Sequence, residues 1–379
     1  MGDDMETNGW KGVSIKVIGV GGAGSNAVDR MIQMGIPGVD FIAANCDAQA
    51  LARSEAPCKI QLGATLTRSL GAGGDPALGA RAAHESRDLL CEALRGADMV
   101  FIAAGMGGGT GTGAAPIVAQ IARAEHALTI AVVTTPFSFE GKRRTAVAEE
   151  GVDRLREQVD TLLVVPNDRL IELVGTRTSL DVALRVADDV LRQAVQGIAE
   201  LVTRPGLINV GFAGVQTIME GAGDALISIG YGEGETKAID AVKMALGSPL
   251  LNIESVSQIE DVLVNVTGGP DLTLAEVSQA MGILSQMARP QARILFGTVI
   301  DERMTGRVEI TLIATGIAVG GKATAEPQMD RVPLTEIFTE NVAVPAFARP
   351  PYEEELAVPA FMRLHQRARG VQLNACSRS

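Results

Sequence analysis

The stretch of the chain best suited to chemistry is a glycine-rich segment, Gly105–Gly113, which reads GMGGGTGTG. It follows an apolar run, Met99–Ala104, that predicts a buried strand, and it precedes a run, Ala114–Ala122, that predicts a helix. Glycine lets the backbone approach a ligand closely, so successive amides can converge on phosphate oxygens while the helix N-terminus adds partial positive charge. Thr110 and Thr112 add hydroxyl donors. The pattern predicts a phosphate-binding loop, and the alternative is a flexible turn.

A second glycine motif follows the first predicted strand and has the GxGxxG spacing of dinucleotide-binding folds. Its glycines are Gly19, Gly21 and Gly24. Asp47 lies beyond the second predicted strand, Phe41–Asn45, at a distance suited to a ribose-binding acid. An NAD-dependent enzyme is therefore an alternative. A dinucleotide fold does not explain the second loop at Gly105, which contains more glycines than the first. A nucleoside triphosphate site uses two glycine loops. The pair of loops therefore favours a nucleoside triphosphate over NAD as the ligand.

Strands and helices alternate along the first half of the chain. Predicted strands Thr129–Thr134 and Thr161–Val165 flank a helix that ends near Gln158. This alternation predicts an α/β fold with a doubly wound, mostly parallel sheet, in which the ligand lies at the carboxyl ends of the strands. Both glycine loops fall at that edge. A third loop, Gly71–Pro76, is predicted either to join them or to be a solvated turn.

One long amphipathic helix is predicted over Ser179–Thr203, because apolar residues recur there at helical spacing. Ser179 is a plausible N-cap, and Pro205-Gly206 ends the helix. The i,i+4 spacing predicts two acid–base pairs on its surface, Asp181 with Arg185 and Asp188 with Arg192. Beyond the helix, a second α+β domain is indicated by three strand-like segments, Val262–Thr267, Ala292–Ile300 and Arg307–Thr315.

Composition narrows the class of protein. The chain has 379 residues, of which 46% are hydrophobic and 21% charged, so it is long enough for two domains with buried cores. A formal charge of -12 argues against a general nucleic-acid surface and against adhesion to anionic lipid. No segment approaches the roughly 18 apolar residues of a membrane span, so we expect a cytoplasmic protein without direct membrane insertion. The scattered cysteines and histidines suggest neither zinc nor disulfides; they are Cys46, Cys58, Cys91, Cys376, His84, His126 and His365.

The glycine-rich loop is not a Walker loop, since no Gly-Lys-Ser/Thr follows it. Together with the first glycine motif it resembles the signature of the tubulin/FtsZ family of polymerising GTP-binding proteins, and is closest to the bacterial FtsZ branch. The resemblance runs from about Ile15 to Ile317. It implies GTP or GDP, with Mg²⁺, as ligands, and a head-to-tail filament of copies of the chain that serves bacterial cell division at the Z-ring.

The resemblance also implies a division of the chain. Residues 1–12 would be a disordered N-terminus, 13–178 the GTP-binding domain and 179–203 a central helix. Residues 204–317 would form a C-terminal domain for polymerisation and activation. A linker would cover 318–343, and a tail 344–379.

Site residues carry over from the family one by one. Phosphate and sugar would be wrapped by Gly21, Gly22, Ala23, Gly24, Ser25 and Asn26, and the β- and γ-phosphates held by Gly107, Gly108, Gly109, Thr110, Gly111, Thr112 and Gly113. Gly73 and Pro136 belong to the same site by resemblance. Glu140 would accept from ribose hydroxyls, and Arg144 would offer a charged fork; the alternative for this segment is a solvated helix start.

The base would be read by Asn167 and by Asp189 on the central helix. A carboxylate that accepts from N1–H and the 2-amino group favours guanine over adenine, which lacks both donors in that pattern. Asp188 stands where the family usually has Asn, so the details of base recognition depart from the family here. The alternative is that both aspartates belong to a solvated helix face.

The loop after the central helix breaks the family pattern. In the family it carries Asn-x-Asp-x-x-Asp, and it enters the next subunit's pocket, where the acids polarise the attacking water. This chain has Asn209, Gly211 and Gly214, so both acids are glycine. Loss of a general base commonly lowers a rate by roughly 10²- to 10⁴-fold, so we expect slow hydrolysis. The nearest downstream carboxylate, Glu220, is expected on a different face. The alternative function is a non-hydrolysing regulator or copolymer scaffold of an active relative.

The tail contains a duplicated peptide, Val344–Arg349 and Val358–Arg363, which reads VPAF-x-R twice. The second copy resembles the family's C-terminal peptide, which docks on membrane adaptors and regulatory division proteins. Predicted partner-binding residues are Pro345, Phe347, Pro359, Phe361 and Arg363. A proline, one aromatic anchor and flanking charges suit folding on binding; the alternative is a disordered tail with a chance repeat.

Overall fold

Six strands lie side by side in the first part of the structure, a computed structural model that describes residues 12–174, 179–204, 206–251, 260–289 and 291–316. Several predicted segments lie outside the described residues. They are the N-terminal segment up to residue 11, Pro205, the linker 318–343 and the tail 344–379. The strands are β1 Ile15–Val20, β2 Val39–Asn45, β3 Cys58–Gln61, β4 Met99–Gly105, β5 Leu128–Thr135, β6 Thr161–Pro166, β7 Gly223–Glu233, β8 Asp261–Gly268, β9 Arg293–Ile300 and β10 Arg307–Thr315.

The first six strands form a parallel sheet in the order β3-β2-β1-β4-β5-β6. Its central strands are buried along nearly their whole length, as expected of a sheet covered by helices on both faces. Because these six strands are parallel, the loops that follow them emerge at one edge, and the strand order reverses between β1 and β4. The predicted α/β, doubly wound fold is confirmed.

Helices cover both faces of this sheet and continue into the second part of the chain. They are α1 Gly21–Met34, α2 Ala48–Arg53, α3 Ala64–Thr67, α4 Pro76–Glu85, α5 Arg87–Leu94, α6 Thr110–Ala124, α7 Lys142–Arg156, α8 Asn167–Val174, α9 Leu180–Thr203, α10 Gly211–Met219, α11 Lys237–Leu246 and α12 Leu274–Met287. The predicted central helix is α9. Its N-cap is Ser179, whose hydroxyl accepts from the Val182 amide at 3.4 Å, as predicted.

Strand β7 connects the two parts. Its first residues pair in parallel with β6, from Thr161 opposite Gly223, and the rest pairs antiparallel with β10. Strand β10 pairs antiparallel with β8, and β8 pairs in parallel with β9, so the ten strands follow one continuous order. The second part is therefore a mixed sheet with helices, as the resemblance implied.

The central helix packs between the two parts. Its buried apolar face includes Leu191, Ala194 and Ile198, which share one hydrophobic cluster with β1 and β4 on one side and with Ile227 and Ile313 on the other. A second cluster fills the other face of the parallel sheet, and a third lies under α11 and α12. The helix is thus held by both parts of the fold.

Two differences from the sequence prediction have clear causes. The glycine motif is not only a turn between strand and helix: Gly19 lies in β1, whereas Gly21 and Gly24 are wound into the first turns of α1. Strand β7 escaped prediction because Gly230 and Gly232 interrupt its apolar pattern. A Cβ at these glycines would lie 2.0 Å from the Ala241 carbonyl and 1.8 Å from the Lys237 carbonyl, so glycine is what allows α11 to pack on the strand.

The predicted i,i+4 pair of Asp188 with Arg192 is wrong. Asp188 reaches Arg30 on α1 instead, with 3.4 Å between Oδ2 and Nε. Arg192 bonds Asp189, with 2.6 Å between Nε and Oδ1. Each group has another partner within reach, Arg30 for Asp188 and Asp189 for Arg192. The side chain of Asp181, from the other predicted pair, lies outside the described residues.

Among the residues that the structure describes, no helix combines the length and the apolar character needed to cross a membrane. The same residues contain no cluster of three or more potential metal-ligating side chains.

Candidate functional site

The residues predicted to bind nucleotide converge at the carboxyl edge of the parallel sheet. The loops that follow β1, β4 and β5 meet there, as does the start of α8 after β6. The loops touch one another. A Cβ at Gly21 would lie 2.9 Å from the Gly111 amide nitrogen, and one at Gly107 would lie 3.3 Å from the Cγ of Pro136.

The glycines of the two motifs divide into two groups. In one group a Cβ would lie within 2.9 Å of another atom, so glycine permits the close approach of a strand, a helix or a neighbouring loop; it comprises Gly19, Gly21, Gly24, Gly105, Gly107, Gly109, Gly111 and Gly113. In the other group, Gly22 and Gly108, a Cβ would meet nothing within 4 Å. These two positions border open space at the sheet edge, so their backbones are the ones that a ligand can approach.

The third loop lies against the glycine-rich loop. A Cβ at Gly109 would lie 2.8 Å from the Ala72 Cβ and 2.9 Å from the Asp75 amide nitrogen. Asp75 also caps α4, since its carboxylate accepts from the Ala77 amide at 2.9 Å. Gly73, at φ +57°, has no atom within 4 Å of a Cβ position. Gly71–Pro76 therefore belongs to the rim of this edge and is not a remote turn.

Hydrogen bonding inside the glycine-rich loop fixes its shape. The Gly107 amide donates to the Thr112 hydroxyl oxygen at 2.8 Å, and Thr112 is buried. Gly107 has φ +93°, and a Cβ there would lie 2.9 Å from both the Cγ and the carbonyl oxygen of Arg144. The Thr112 hydroxyl thus closes the loop, while Thr110 at the start of α6 is the more exposed threonine.

Glu140 and Arg144 form an ion pair at the start of α7. The distance from Arg144 Nη1 to Glu140 Oε2 is 2.9 Å, and the other Glu140 oxygen accepts from the Phe137 amide at 2.9 Å. The Glu140 carboxylate is mostly shielded, whereas the Arg144 side chain is 51% exposed. A half-exposed guanidinium with one carboxylate partner retains donors for an anion.

The loop after β5 is tied to the start of α8. Asp168 accepts from the Ser138 amide at 2.9 Å and from the Ser138 hydroxyl at 2.5 Å. Phe137 is buried and stacks on Phe139, with ring centroids 5.0 Å apart. Sequence reasoning missed Asp168 as a positioning residue. The available signal was its place directly after Asn167, in a segment already assigned to the site.

Two buried polar atoms of the site have no hydrogen-bond partner among the described residues. They are the Ser25 hydroxyl oxygen on α1 and the Asn167 Oδ1 at the start of α8. Buried polar atoms are normally paired, and an unpaired one costs about 1–3 kcal/mol. Of the four such atoms in the described residues, the other two, Asn265 Oδ1 and Thr315 Oγ1, lie in the second sheet. The Asn167 oxygen could accept a hydrogen bond from an N–H group of a ligand, and the Ser25 hydroxyl could donate one to a phosphate oxygen.

The two aspartates of α9 have different surroundings. Burial raises the pKa of Asp188 to about 6, although the Arg30 guanidinium opposes the shift. Asp189 is one-third exposed and pairs with Arg192, which is itself buried. Arg30, the partner of Asp188, lies on α1 one helical turn after Asn26, which is exposed. Residues four apart share a helix face, so Asp188 lies beside the face of α1 that carries the predicted site residue Asn26.

Asp188→Asn is expected to stabilise the protein in a pH-dependent way. A carboxyl whose pKa is higher in the folded chain contributes stability that is fully present below pH 3.8 and is lost as the pH rises through 6. We expect equal unfolding free energies for the two proteins near pH 4, and an advantage of about 1–2 kcal/mol for the variant at pH 7.5. Urea unfolding of the full chain at both pH values measures this. Glu149→Gln, an exposed site on α7, is the charge-matched control, and an equal gain in that control would contradict the assignment to Asp188.

The loop that carries Asn209 leads into Gly211 and Gly214 in the first turn of α10, and this segment lies at the opposite edge of the sheet. Thr203, the last residue of α9, is adjacent to Gly38, where a Cβ would lie 3.1 Å from the threonine Cγ2. Gly38 directly precedes the amino end of β2. From Asp189 to Thr203 the helix advances about 21 Å. The loop therefore cannot reach the nucleotide edge of its own chain.

The loop has a defined conformation. The Gly206 amide donates to the Asn209 Oδ1 at 2.7 Å, and the Ile208 amide donates to the Thr298 hydroxyl at 2.9 Å. Gly211 has φ +68° and no atom within 4 Å of a Cβ position. Glu220, at the far end of α10, accepts from Gln216 at 3.1 Å. The loop thus holds Asn209 in a turn and presents no carboxylate at positions 211 and 214.

The acid proposed for a dinucleotide site has a structural role. Asp47 caps α2, because its Oδ1 accepts from the Gln49 amide at 2.8 Å and from the Ala50 amide at 3.2 Å. Its neighbour Cys46 is fully buried, and burial raises the pKa of the Cys46 thiol despite a hydrogen bond with Thr110. A carboxylate already bonded to two helix amides has little capacity left for a ribose.

Comparison with known proteins gives one consistent result. The profile for the "Tubulin/FtsZ family, GTPase domain" matches residues 14–175, and that for the "FtsZ family, C-terminal domain" matches residues 223–318. An FtsZ dimer from M. jannaschii, solved empty, is 43% identical with a TM-score of 0.79, over 84% of this chain and 95% of that one. A mutant FtsZ from the same organism is 46% identical with a TM-score of 0.78, over 81% and 92%.

A more distant structure shares the fold. CetZ2 from Haloferax volcanii, described as a GTPγS-bound protofilament, is 21% identical with a TM-score of 0.67, over 80% of this chain and 93% of that one. The M. jannaschii proteins, by contrast, share 43% and 46% identity with this chain over 84% and 81% of its length. The chain therefore belongs to the FtsZ family of tubulin-like GTPases.

Proposed function

We propose that this chain binds GTP or GDP at the carboxyl edge of its parallel sheet, assembles head to tail into filaments for bacterial cell division, and hydrolyses GTP slowly. The observation that carries the proposal is the pairing of an open glycine cradle at one edge with a loop that lacks carboxylates at the other. Membership of a GTPase family supports the ligand, and a dimer and a protofilament among the similar structures support assembly.

The phosphates would lie against the backbone at Gly22 and Gly108, where the structure leaves space. The first turns of α1 and α6 point their amides toward that space and add the positive ends of two helix dipoles. The Arg144 guanidinium would donate N–H hydrogen bonds to a phosphate, and the Ser25 hydroxyl, which has no partner among the described residues, would bind a phosphate oxygen. Mg²⁺ would be held mainly by the phosphates, since the described residues offer no carboxylate cluster for it.

The base would lie between α8, α1 and α9. Asn167 Oδ1 is a buried acceptor without a partner, which suits the N–H donors of guanine. Asp189 would provide a second acceptor from α9. Leu184, 45% exposed and one helical turn before Asp188, is an apolar surface that sequence reasoning missed and that suits the face of a base. Sequence offered no signal for this role, because Leu184 belongs to the apolar stripe of the predicted helix and its exposure is seen only in the structure.

Head-to-tail assembly follows from the separation of the two edges. Because the loop after α9 lies at the amino edge of the sheet, it can meet only the nucleotide of another copy. In a filament of this chain each junction would pair an intact pocket with Gly211 and Gly214. Neither glycine can act as a general base, so bound GTP would persist and filaments would disassemble slowly.

Phosphate release recorded together with light scattering in GTP tests the proposal. We expect scattering that depends on GTP, at physiological salt, with phosphate release at least about 100-fold slower than in a family member that retains both acids. Rapid, assembly-dependent phosphate release would overturn the prediction of slow hydrolysis. Calorimetric titration with GTP, ATP and NAD separates ligand choice from assembly.

A second candidate function is that of a non-hydrolysing regulator or copolymer scaffold of an active relative. The same two glycines favour it, because a subunit with an intact pocket and an inactive loop would slow turnover at every junction that its loop enters. Pelleting alone and with an acid-bearing family member distinguishes the two. Self-assembly supports the first function, and incorporation only as a guest supports the second.

The tail peptides are proposed as the docking sites for membrane adaptors and regulatory division proteins. The support is the duplicated VPAF-x-R sequence, with anchors at Phe347 and Phe361. Two copies would raise avidity if both engage one polymeric partner surface.

A further inference from the structure

We propose that Arg192 is a positioning residue for base selection: its guanidinium fixes the plane of the Asp189 carboxylate, so that both carboxylate oxygens can accept from the N–H groups of guanine. The inference rests on the proposed function, because it takes Asp189 as a residue that reads the base. It adds a second residue, buried beneath Asp189, on which the preference for guanine depends.

Arg192 holds Asp189 through one hydrogen bond to each carboxylate oxygen. Arg192 Nε lies 2.6 Å from Asp189 Oδ1, and Nη2 lies 3.3 Å from Oδ2. A guanidinium that bonds both oxygens fixes the orientation of a carboxylate as well as its position. A carboxylate can accept about four hydrogen bonds, so each oxygen keeps room for one more. The N1–H and 2-amino groups of guanine are two neighbouring donors that match these two positions.

The two members of this pair differ in exposure. Arg192 is 2% exposed, whereas the side chain of Asp189 is 33% exposed. The guanidinium therefore lies on the inner side and the carboxylate faces outward. An ion pair between two exposed side chains contributes little, because both must lose conformational freedom to form it. Here burial has already ordered Arg192, so it can hold its partner in one orientation.

Arg192 is itself anchored along α9. Its Nη1 donates to Oε1 of Gln196, and Nε2 of Gln196 donates to Oε1 of Glu200 at 2.8 Å. Glu200, which is 2% exposed, also pairs with Arg204 at 3.4 Å. These contacts join side chains on successive turns of one helix face. The guanidinium of Arg192 is thus bonded toward Asp189 on one side and toward Gln196 on the other.

Asp189 belongs to the part of α9 that meets α8, the helix that begins with Asn167. Leu170 of α8 shares a hydrophobic cluster with Ala187 and Val190 of α9. The Asn167 Oδ1 is a buried acceptor with no partner among the described residues. Both proposed acceptors thus belong to one helix junction, so the orientation of Asp189 decides whether a single base can bond to both.

Titration of the full chain with GTP and with inosine triphosphate tests this role. Inosine triphosphate has the N1–H of guanine but lacks its 2-amino group, so the ratio of the two Kd values reports the second bond to Asp189. In the natural chain we expect a preference for GTP of about 10-fold or more. Arg192→Lys keeps the charge but cannot bond both oxygens in one plane, so we expect its preference to fall to about threefold or less.

Arg204→Lys is the matched control, because it makes the same substitution in another ion pair of α9, about 18 Å farther along the helix. It should keep the natural preference. Asp189→Asn should lose the preference by itself. Adding Arg192→Lys to Asp189→Asn should then change the preference no further, because Arg192 acts through Asp189.

A preference that persists in Arg192→Lys, or that falls equally in Arg204→Lys, would overturn the proposal. Additive losses from Asp189→Asn and Arg192→Lys would also overturn it. If Arg192→Lys binds neither nucleotide, Gln196→Met decides, because it removes an anchor of Arg192 and leaves both charged groups in place; its preference should fall, and an unchanged one contradicts the proposal. A natural chain that binds GTP no more tightly than ATP would instead contradict the proposed guanine site.

Discussion

Restoring two carboxylates to the loop after the central helix is expected to raise GTP hydrolysis by about 10²-fold or more. The variant is Gly211→Asp combined with Gly214→Asp. Its expected gain follows from the proposed pocket, which lacks only the groups that polarise the attacking water. Phosphate release per subunit, measured above the concentration at which scattering begins, gives the rate.

The loop can accept both side chains at small cost. A Cβ at Gly211 meets nothing within 4 Å, and its φ of +68° is a conformation that Asp and Asn adopt more readily than other residues with a Cβ. A Cβ at Gly214 would lie 2.6 Å from the Cγ1 of Val210, the end of a side chain that can change rotamer. The double variant should therefore fold and assemble.

The matched control is Gly211→Asn with Gly214→Asn. Asn is close to Asp in size and adopts the same backbone conformations, but it carries no charge. This variant should therefore assemble without a gain in the rate of GTP hydrolysis. Equal rates in the Asp and Asn proteins would show that the missing carboxylates do not limit hydrolysis. A natural chain already as fast as the Asp variant would lead to the same conclusion.

A methyl group placed in the open cradle should abolish nucleotide binding without unfolding the protein. The variants are Gly22→Ala and Gly108→Ala, where an added Cβ meets nothing within 4 Å. If a phosphate fills that space, the methyl displaces it from the loop amides, and we expect the Kd for GTP to rise about 100-fold or more. Titration calorimetry measures the affinity, and thermal unfolding measures the stability.

The control for this pair is Gly282→Ala on α12, where a Cβ also meets nothing within 4 Å but the site is remote from the glycine loops. Alanine is a better helix former than glycine, so this variant should be slightly more stable and should bind GTP normally. Unchanged affinity in Gly108→Ala, with its folding intact, would place the phosphates elsewhere.

Much of the local structure is predictable from sequence, for reasons that individual elements illustrate. The apolar period of α9 and its Ser179 cap define a helix whose observed bounds, Leu180–Thr203, follow the prediction closely. Strand β10, Arg307–Thr315, was predicted at its observed bounds. Strand β7 was missed, because Gly230 and Gly232 serve a helix that packs across it and break the alternation that marks a strand.

The two glycine loops, the central helix, the family resemblance and the replacement of two acids by Gly211 and Gly214 can all be predicted from the sequence. These features depend on residue type and on short spacing along the chain. Which glycines border open space, and that Asp188 pairs with Arg30 on another helix, became evident only from the folded structure. Burial and counter-ions arise where elements far apart in sequence come together, and no local pattern records that.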